Sequence, residues 1–247
     1  MNNLQTLIEL DYQATTLRKK LNLGESSPID LFAVANNIPD LTLVFYELGD
    51  NISGICYKDI GMIAINSQQS YGRCRFTLAH EFYHYFIEQR EEKIICSKSL
   101  SKESSHEEKL ADMFALYFLA PYKAFKDKTS GLSNETITEE QIIRLEQYFG
   151  MSREATLYRL KLEGIIDNNW DRFKNNVIYN AKILGYDDKL YKRLYYSNIT
   201  FGRYLSLVKE LKNQDVISRG KEIELLLTAF RGDLIEGEVN GEESRFD

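Results

Sequence analysis

Five consecutive residues, His80-Glu81-Phe82-Tyr83-His84, set two imidazoles four positions apart with a carboxylate between them. On a helix, positions i and i+4 face the same way, so both rings can offer a nitrogen to one cation. The intervening glutamate then stands where it can take a proton from a water that the cation polarises. The chain holds three histidines in all, so two of them within one helical turn argue against an accident of composition. The plainer alternative is two unrelated histidines that happen to share a face.

A hydrolytic zinc needs a third protein ligand and one open position. The downstream candidates are Glu103, His106, Glu107 and Glu108. Glu108 is preferred, because Glu108-x-x-x-Asp112 puts two carboxylates on one helix face. One can bind the ion while Asp112 accepts the ring N–H of a liganding histidine and fixes its tautomer. Ala111 and Ala115 on that face would let the two helices approach closely. Against this, an acidic first helical turn is favourable through the helix dipole alone, and His106 reads as a solvated loop residue. Glu81-x-x-His84 with Glu103-x-x-His106 also spells the unit of di-iron bundles, but that fold needs four long inward-facing helices. Cys96 falls between the two ligand-bearing segments, where its thiolate could fill the open position as an inhibitory ligand; the alternative is an ordinary thiol beside Ile94-Ile95.

These residues need elements to carry them. Residues 4–21 read as a helix, and Pro28 heads a short second one. Segments 41–48, 51–57 and 61–66 are β-branched and aromatic, separated by turn residues, and predict three antiparallel strands. From Tyr71 apolar residues recur at spacings of three and four, again over 107–120 until Pro121, and over 138–149 and from Ser152 to Gly164. Residues 96–105 read as a polar loop. A soft boundary at Asp167-Asn168-Asn169 precedes about four further helices and an acidic tail expected to be mobile.

At this point Arg75-Phe-Thr-Leu-Ala-His80-Glu81-Phe-Tyr-His84-Tyr, Glu108-Lys-Leu-Ala111-Asp112-Met-Phe114-Ala115, Leu119-Ala-Pro121 and Tyr148-Phe149-Gly150-Met-Ser152 resemble the ImmA/IrrE family of metallopeptidases. The likeness runs from about residue 10 to 166, with Ser53-Gly54-Ile also family-like. With the helical pattern it gives an α+β, mainly helical zincin-like domain over 1–125 and a helix-turn-helix-like segment over 126–166; the stretch 167–247, outside the resemblance, reads from its own pattern as a C-terminal helical domain. The resemblance also implies one zinc per chain held by His80, His84 and Glu108, with Glu81 as general base. The substrate implied is a repressor of the XRE type, whose cleavage switches on phage, mobile-element or stress-response genes. Phe82-Tyr83, where relatives often carry Leu-Gly, would narrow the cleft. The 51–66 hairpin is the expected edge for an extended peptide. Arg73, Arg75, His106 and Tyr122 all remain open as oxyanion donors.

Composition bounds the partners. A formal charge of -6 disfavours non-specific polyanion binding. Segment 138–164 has helix–turn–helix spacing but four basic residues against five acidic ones, which favours packing over duplex reading. Residues 168–230 hold eleven Lys/Arg against seven Asp/Glu, interleaved with tyrosines such as Tyr179, Tyr195 and Tyr204. That mixture can bind single-stranded nucleic acid, but helices covering one another give the same composition and are the preferred reading. Three widely spaced cysteines form no disulfide framework. With no signal-like N-terminus and no membrane-length apolar run, a soluble cytoplasmic protein is expected.

Overall fold

A computed structural model describes residues 3–89, 94–97, 105–195 and 198–235. The fold is mixed α+β, mainly helical with one small sheet. Helix α1 (Asn3–Lys20) and the short α2 (Leu31–Asn36), capped by the Asp30 side chain, lead into β1 (Thr42–Tyr46), β2 (Ile52–Tyr57) and β3 (Met62–Asn66). Helix α3 (Tyr71–Phe86), strand β4 (Ile94–Ser97) and helix α4 (His106–Leu119) follow. Then come α5 (Tyr122–Lys128), α6 (Glu139–Phe149), α7 (Arg153–Leu162), α8 (Val177–Ile183), β5 (Ile199–Gly202), α9 (Arg203–Asn213) and α10 (Arg219–Thr228). No helix among the described residues is long and apolar enough to cross a membrane.

The sheet corrects the sequence reading. It has five strands, ordered β4-β2-β3-β1-β5, and it is mixed: β1 runs parallel to β3 while the other pairings are antiparallel. The expected three-stranded antiparallel meander fails because the short β1–β2 connection steps across β3 rather than turning back beside β1. The buried Asn66 side chain holds that step, donating to the carbonyls of Gly49 and Ile52 at 2.7 Å each. A second consequence is that the β2–β3 hairpin, expected to offer a peptide-binding edge, lies inside the sheet. Strand β4 covers β2, and β4 is the edge on that side.

Strand β5 comes from the segment beyond Asn169, read in the sequence as helical, and joins the same sheet beside β1. Gly202 ends it at φ +82°, where a Cβ would lie 2.3 Å from the Leu41 carbonyl oxygen. Only glycine lets the two backbones close, and Arg203 N–H donates to that carbonyl at 2.9 Å. The acidic tail past residue 235 and Glu103 lie outside the described residues, as does most of the expected 96–105 loop.

Helix α3 is sandwiched between the sheet and α4, with α1 packed on the outer side of α4. Phe82 is fully buried, edge-on to Phe118 at 5.8 Å and to Phe86 at 5.4 Å, and Tyr83 packs on Phe114. The Phe82-Tyr83 pair therefore fills the α3–α4 interface instead of narrowing a cleft. Buried Arg18 ties α1 down, donating to the carbonyls of Phe118, Gly24 and Ser27. Arg75 does the same for α3, donating to Gly150 and Ile29 at 2.8 Å each. Helices α6 and α7 turn inward two of the basic residues counted above: Arg153 pairs with Glu139 and Glu146, and Arg159 lies 3.8 Å from the Tyr117 ring centre.

Candidate metal centre

Helix α3 begins at Ser70, whose side chain caps Arg73 N–H, and runs without interruption through the His80–His84 turn. Its helical period places both imidazoles on the side facing α4, and both are buried. Helix α4 begins at Ser105, whose hydroxyl accepts from Glu108 N–H at 3.2 Å, so Glu108 sits in the first turn of its helix. Ala111 and Ala115 are fully buried on α4, and small side chains there permit the close approach that brings the two helices' polar residues together.

Their donor atoms converge. His80 Nε2 and His84 Nε2 are 3.1 Å apart, and each is 3.4 Å from a different oxygen of Glu108. Zinc bonded at about 2.0–2.1 Å in a tetrahedron holds its nitrogen and oxygen donors about 3.3–3.4 Å from one another. Each of these separations is thus close to one edge of such a tetrahedron, with the two Glu108 oxygens each facing one imidazole. The Cys96 thiol, brought over by β4, stands 3.7 Å from Glu108 Oε1. The four ligand atoms of His80, His84, Cys96 and Glu108 all lie within 4.8 Å of one another, a group that could hold a metal ion.

Each ring is oriented from behind. His80 Nδ1 meets Asp112 Oδ1 at 2.8 Å, as the i, i+4 carboxylate pair on α4 suggested. His84 Nδ1 meets Glu88 Oε2 at 2.6 Å. The sequence reading passed over Glu88, although His84-x-x-x-Glu88 repeats the spacing used for Glu108 and Asp112. In a neutral ring such a partner takes the Nδ1 proton and would leave the Nε2 lone pair to a metal. Burial pulls the His80 pKa down, but its hydrogen bonds to Asp112 and Glu108 outweigh it, and the group rises to about 10. Glu108 is opposed by burial and held well below the usual carboxylate range by its bonds to the two histidines.

Glu81 is different. It is fully buried, yet neither carboxylate oxygen receives a hydrogen bond from any N–H or O–H group among the described residues. Burial pushes its pKa up, with the two histidines opposing. Strand β2 presses directly on it: a Cβ added at Gly54 would lie 2.3 Å from Glu81 Oε1 and 2.8 Å from Thr77 Cγ2. The same Gly54 pairs in register with Cys96 of β4, so the sheet delivers both to one side of the cluster. Burial, Glu81 and Glu108 together drive the Cys96 thiol far up, so without a cation it keeps its proton.

Two imidazoles and a carboxylate, beside a buried Glu81 that no N–H or O–H group among the described residues serves, are the donor set and neighbouring acid that a hydrolytic metal would complete. Of the four residues left open as oxyanion donors, Arg75 is consumed by backbone carbonyls, and Arg73 lies against Glu154 and the Phe76 ring. Tyr122 and His106 are solvent-facing.

Comparison with known proteins agrees with this geometry at the level of family. No curated protein matches the chain. Among solved structures, a Mycobacterium tuberculosis transcriptional regulator aligns at 17% identity and a TM-score of 0.43, over 62% of this chain and 46% of that one. Residues 42–161 match the family described as the IrrE N-terminal-like domain, Peptidase_M78. That segment, which carries His80, His84, Cys96 and Glu108, is an IrrE N-terminal-like domain of the ImmA/IrrE family.

Proposed function

We propose that this protein is a zinc-dependent regulatory endopeptidase, with His80, His84 and Glu108 holding one zinc and Glu81 as general base. The observation that carries the reading is the convergence of both histidine Nε2 atoms on the Glu108 carboxylate beside a buried Glu81, whose oxygens meet no N–H or O–H donor among the described residues and have the Cys96 thiol as their neighbour. Bound zinc would supply Lewis acidity toward a water and a carbonyl. The remaining chemistry belongs to the chain. Asp112 and Glu88 keep the imidazoles in the tautomer that presents Nε2. Glu81, shifted upward by burial, is tuned toward the range in which a carboxylate can take a proton from water and return it to a leaving amine. Gly54 allows β2 to approach without displacing that carboxylate.

The substrate is proposed to be one cytoplasmic XRE-type helix-turn-helix repressor, following the family resemblance. A peptide adding to this sheet would meet β4, the edge strand beside the cluster. Glu81→Gln is the decisive variant. Loss of cleavage of an XRE-type repressor that the wild type cuts, with zinc content unchanged, is the expected result. Unchanged regulation in cells would instead identify a non-hydrolytic partner-binding regulator.

The position of Cys96 favours a second reading of the same site, in which its sulfur ligates the zinc and keeps the enzyme latent. Cobalt substitution should then give a thiolate-to-metal charge-transfer band that Cys96→Ser removes, together with faster basal cleavage. A variant that cleaves no faster than the parent ends this reading.

A further inference from the structure

Separate from the metal cluster, a cavity of about 650 Å³ lies between α2, β1, β5 and the segment 189–195. We propose that it is a binding site for a small anion with a planar aromatic body. Its size falls in the range of about 300–1,000 Å³ typical of small-molecule sites. No member of the metal cluster lines it.

The floor is aromatic. Phe32 meets Phe45 edge-on at 5.1 Å and Tyr71 edge-on at 5.2 Å, and Phe45 meets Phe201 at 6.2 Å and 85°. Rings set perpendicular to one another give a flat guest a face to stack on and edges to meet its sides. The rim is cationic. Lys189, Lys192 and Arg193 line it, against a single acid, Asp30, whose carboxylate already caps Ala33 N–H at 3.3 Å. Lys189 Nζ stands 4.9 Å from the centre of the Tyr71 ring, directly at the aromatic box. Lys192 shares Asp188 with Lys182, at 2.9 and 2.7 Å. Arg193 makes no hydrogen bond or ion pair with another described side chain, and Tyr195 beside it is fully exposed. In a chain of net charge -6, three cations around one apolar cavity run against the composition.

The walls are also fixed in advance. Tyr71 N–H donates to Lys192 C=O at 2.7 Å, Ser70 and Arg193 form an antiparallel bridge, and β5 is laddered to β1. A site whose backbone is already held loses less entropy on binding. Of the C-terminal segment's cations and tyrosines, Lys189, Lys192, Arg193 and Tyr195 face this cavity, whereas Tyr191 and Tyr204 are engaged by Glu146 and the Leu225 carbonyl.

The test uses full-length protein and two dyes of nearly the same shape, anionic 1-anilinonaphthalene-8-sulfonate and neutral N-phenyl-1-naphthylamine. One saturable site is expected for the anionic dye. The double variant Lys189→Glu, Arg193→Glu, with an unchanged circular dichroism spectrum, should weaken that dye roughly tenfold or more while leaving the neutral one within about twofold. Displacement by AMP or GMP would identify a nucleotide source for the ligand, and displacement by 1-naphthoate alone an aryl acid. Absence of a saturable site, equal loss of both dyes, or displacement only by an oligothymidylate would overturn the proposal, the last in favour of single-strand binding. Zinc content and cleavage do not enter the readout, so failure here leaves the peptidase reading untouched.

Discussion

Replacing Glu81 by methionine should make the protein more stable and catalytically dead. Methionine matches the shape of glutamate, keeps the chain against Gly54, and removes two oxygens that no N–H or O–H group serves. A buried polar group left without a partner costs about 1–3 kcal/mol, and more when charged. For a chain of 247 residues, an unfolding entropy of about 2.1 cal/mol/K per residue amounts to roughly 0.5 kcal/mol per kelvin, so Tm should rise by about 2–6 °C. The pH dependence has a definite sign. Because burial raises the Glu81 pKa, the wild type is best off below the unfolded value of 4.5 and loses that stability as pH rises through the folded value. The advantage of the variant should therefore be smallest near pH 4.5 and grow toward neutrality. Differential scanning calorimetry of metal-free wild type and variant, over matched pH values, measures this directly. A variant that melts lower at pH 7, or whose advantage shrinks with rising pH, would show that Glu81 is satisfied in the fold and is not held in reserve for chemistry.

Three further outcomes are expected. Asp112→Asn and Glu88→Gln should each weaken zinc binding by about 10- to 100-fold, read by competition with a chromophoric chelator, because each side chain orients one ring. Gly54→Ala should keep zinc at one per chain yet lose about 100-fold in cleavage rate, since its Cβ would push the Glu81 carboxylate by about 1 Å; a wild-type rate would contradict the contact. Zinc uptake at neutral pH should release protons, since His80 holds its proton up to about 10 in the metal-free protein and must give it up to bind. Calorimetric titrations in two buffers of different ionisation enthalpy count those protons, and zinc affinity should fall as pH falls.

The helices that carry the cluster were legible because each buries one face. The three-and-four spacing from Tyr71, and again through Leu110, Phe114 and Phe118, could only be helical, and Pro121 marked the end of α4. The sheet was harder, because its pairing depends on residues far apart in the chain. Nothing local announces that β1 will lie parallel to β3; the crossing loop is held by a buried side chain from the end of β3, Asn66, which joins it only in the folded chain. Strand β5 is four residues long, too short for an alternating pattern to be told from a helical one, and what fixes it is the close approach of Gly202 to Leu41. Strand β4 hid at the border of a serine-rich stretch, although Ile94-Ile95 carried a weak β signal. Glu88 was missed for a different reason: it lies past the last apolar residue of α3, where periodicity no longer draws attention.

The charges around the cluster explain why a dication suits it. Glu81, Glu88, Glu108 and Asp112 bring four carboxylates to two imidazoles, in surroundings where His80, His84 and Glu81 are almost wholly removed from water. Left to itself the group can reduce its excess negative charge only by taking up protons, which is the direction in which both His80 and Glu81 move. With a divalent ion held by His80, His84 and Glu108, those protons would no longer be needed, and His80 would be neutral. The same charge would lower the cost of ionising Glu81, the one acid that touches neither ring through a hydrogen bond. Glu81, costly to ionise where burial alone acts on it, would then be easier to hold as the anion a general base requires. A metal-free protein that still titrates Glu81 as an ordinary carboxylate would break this coupling.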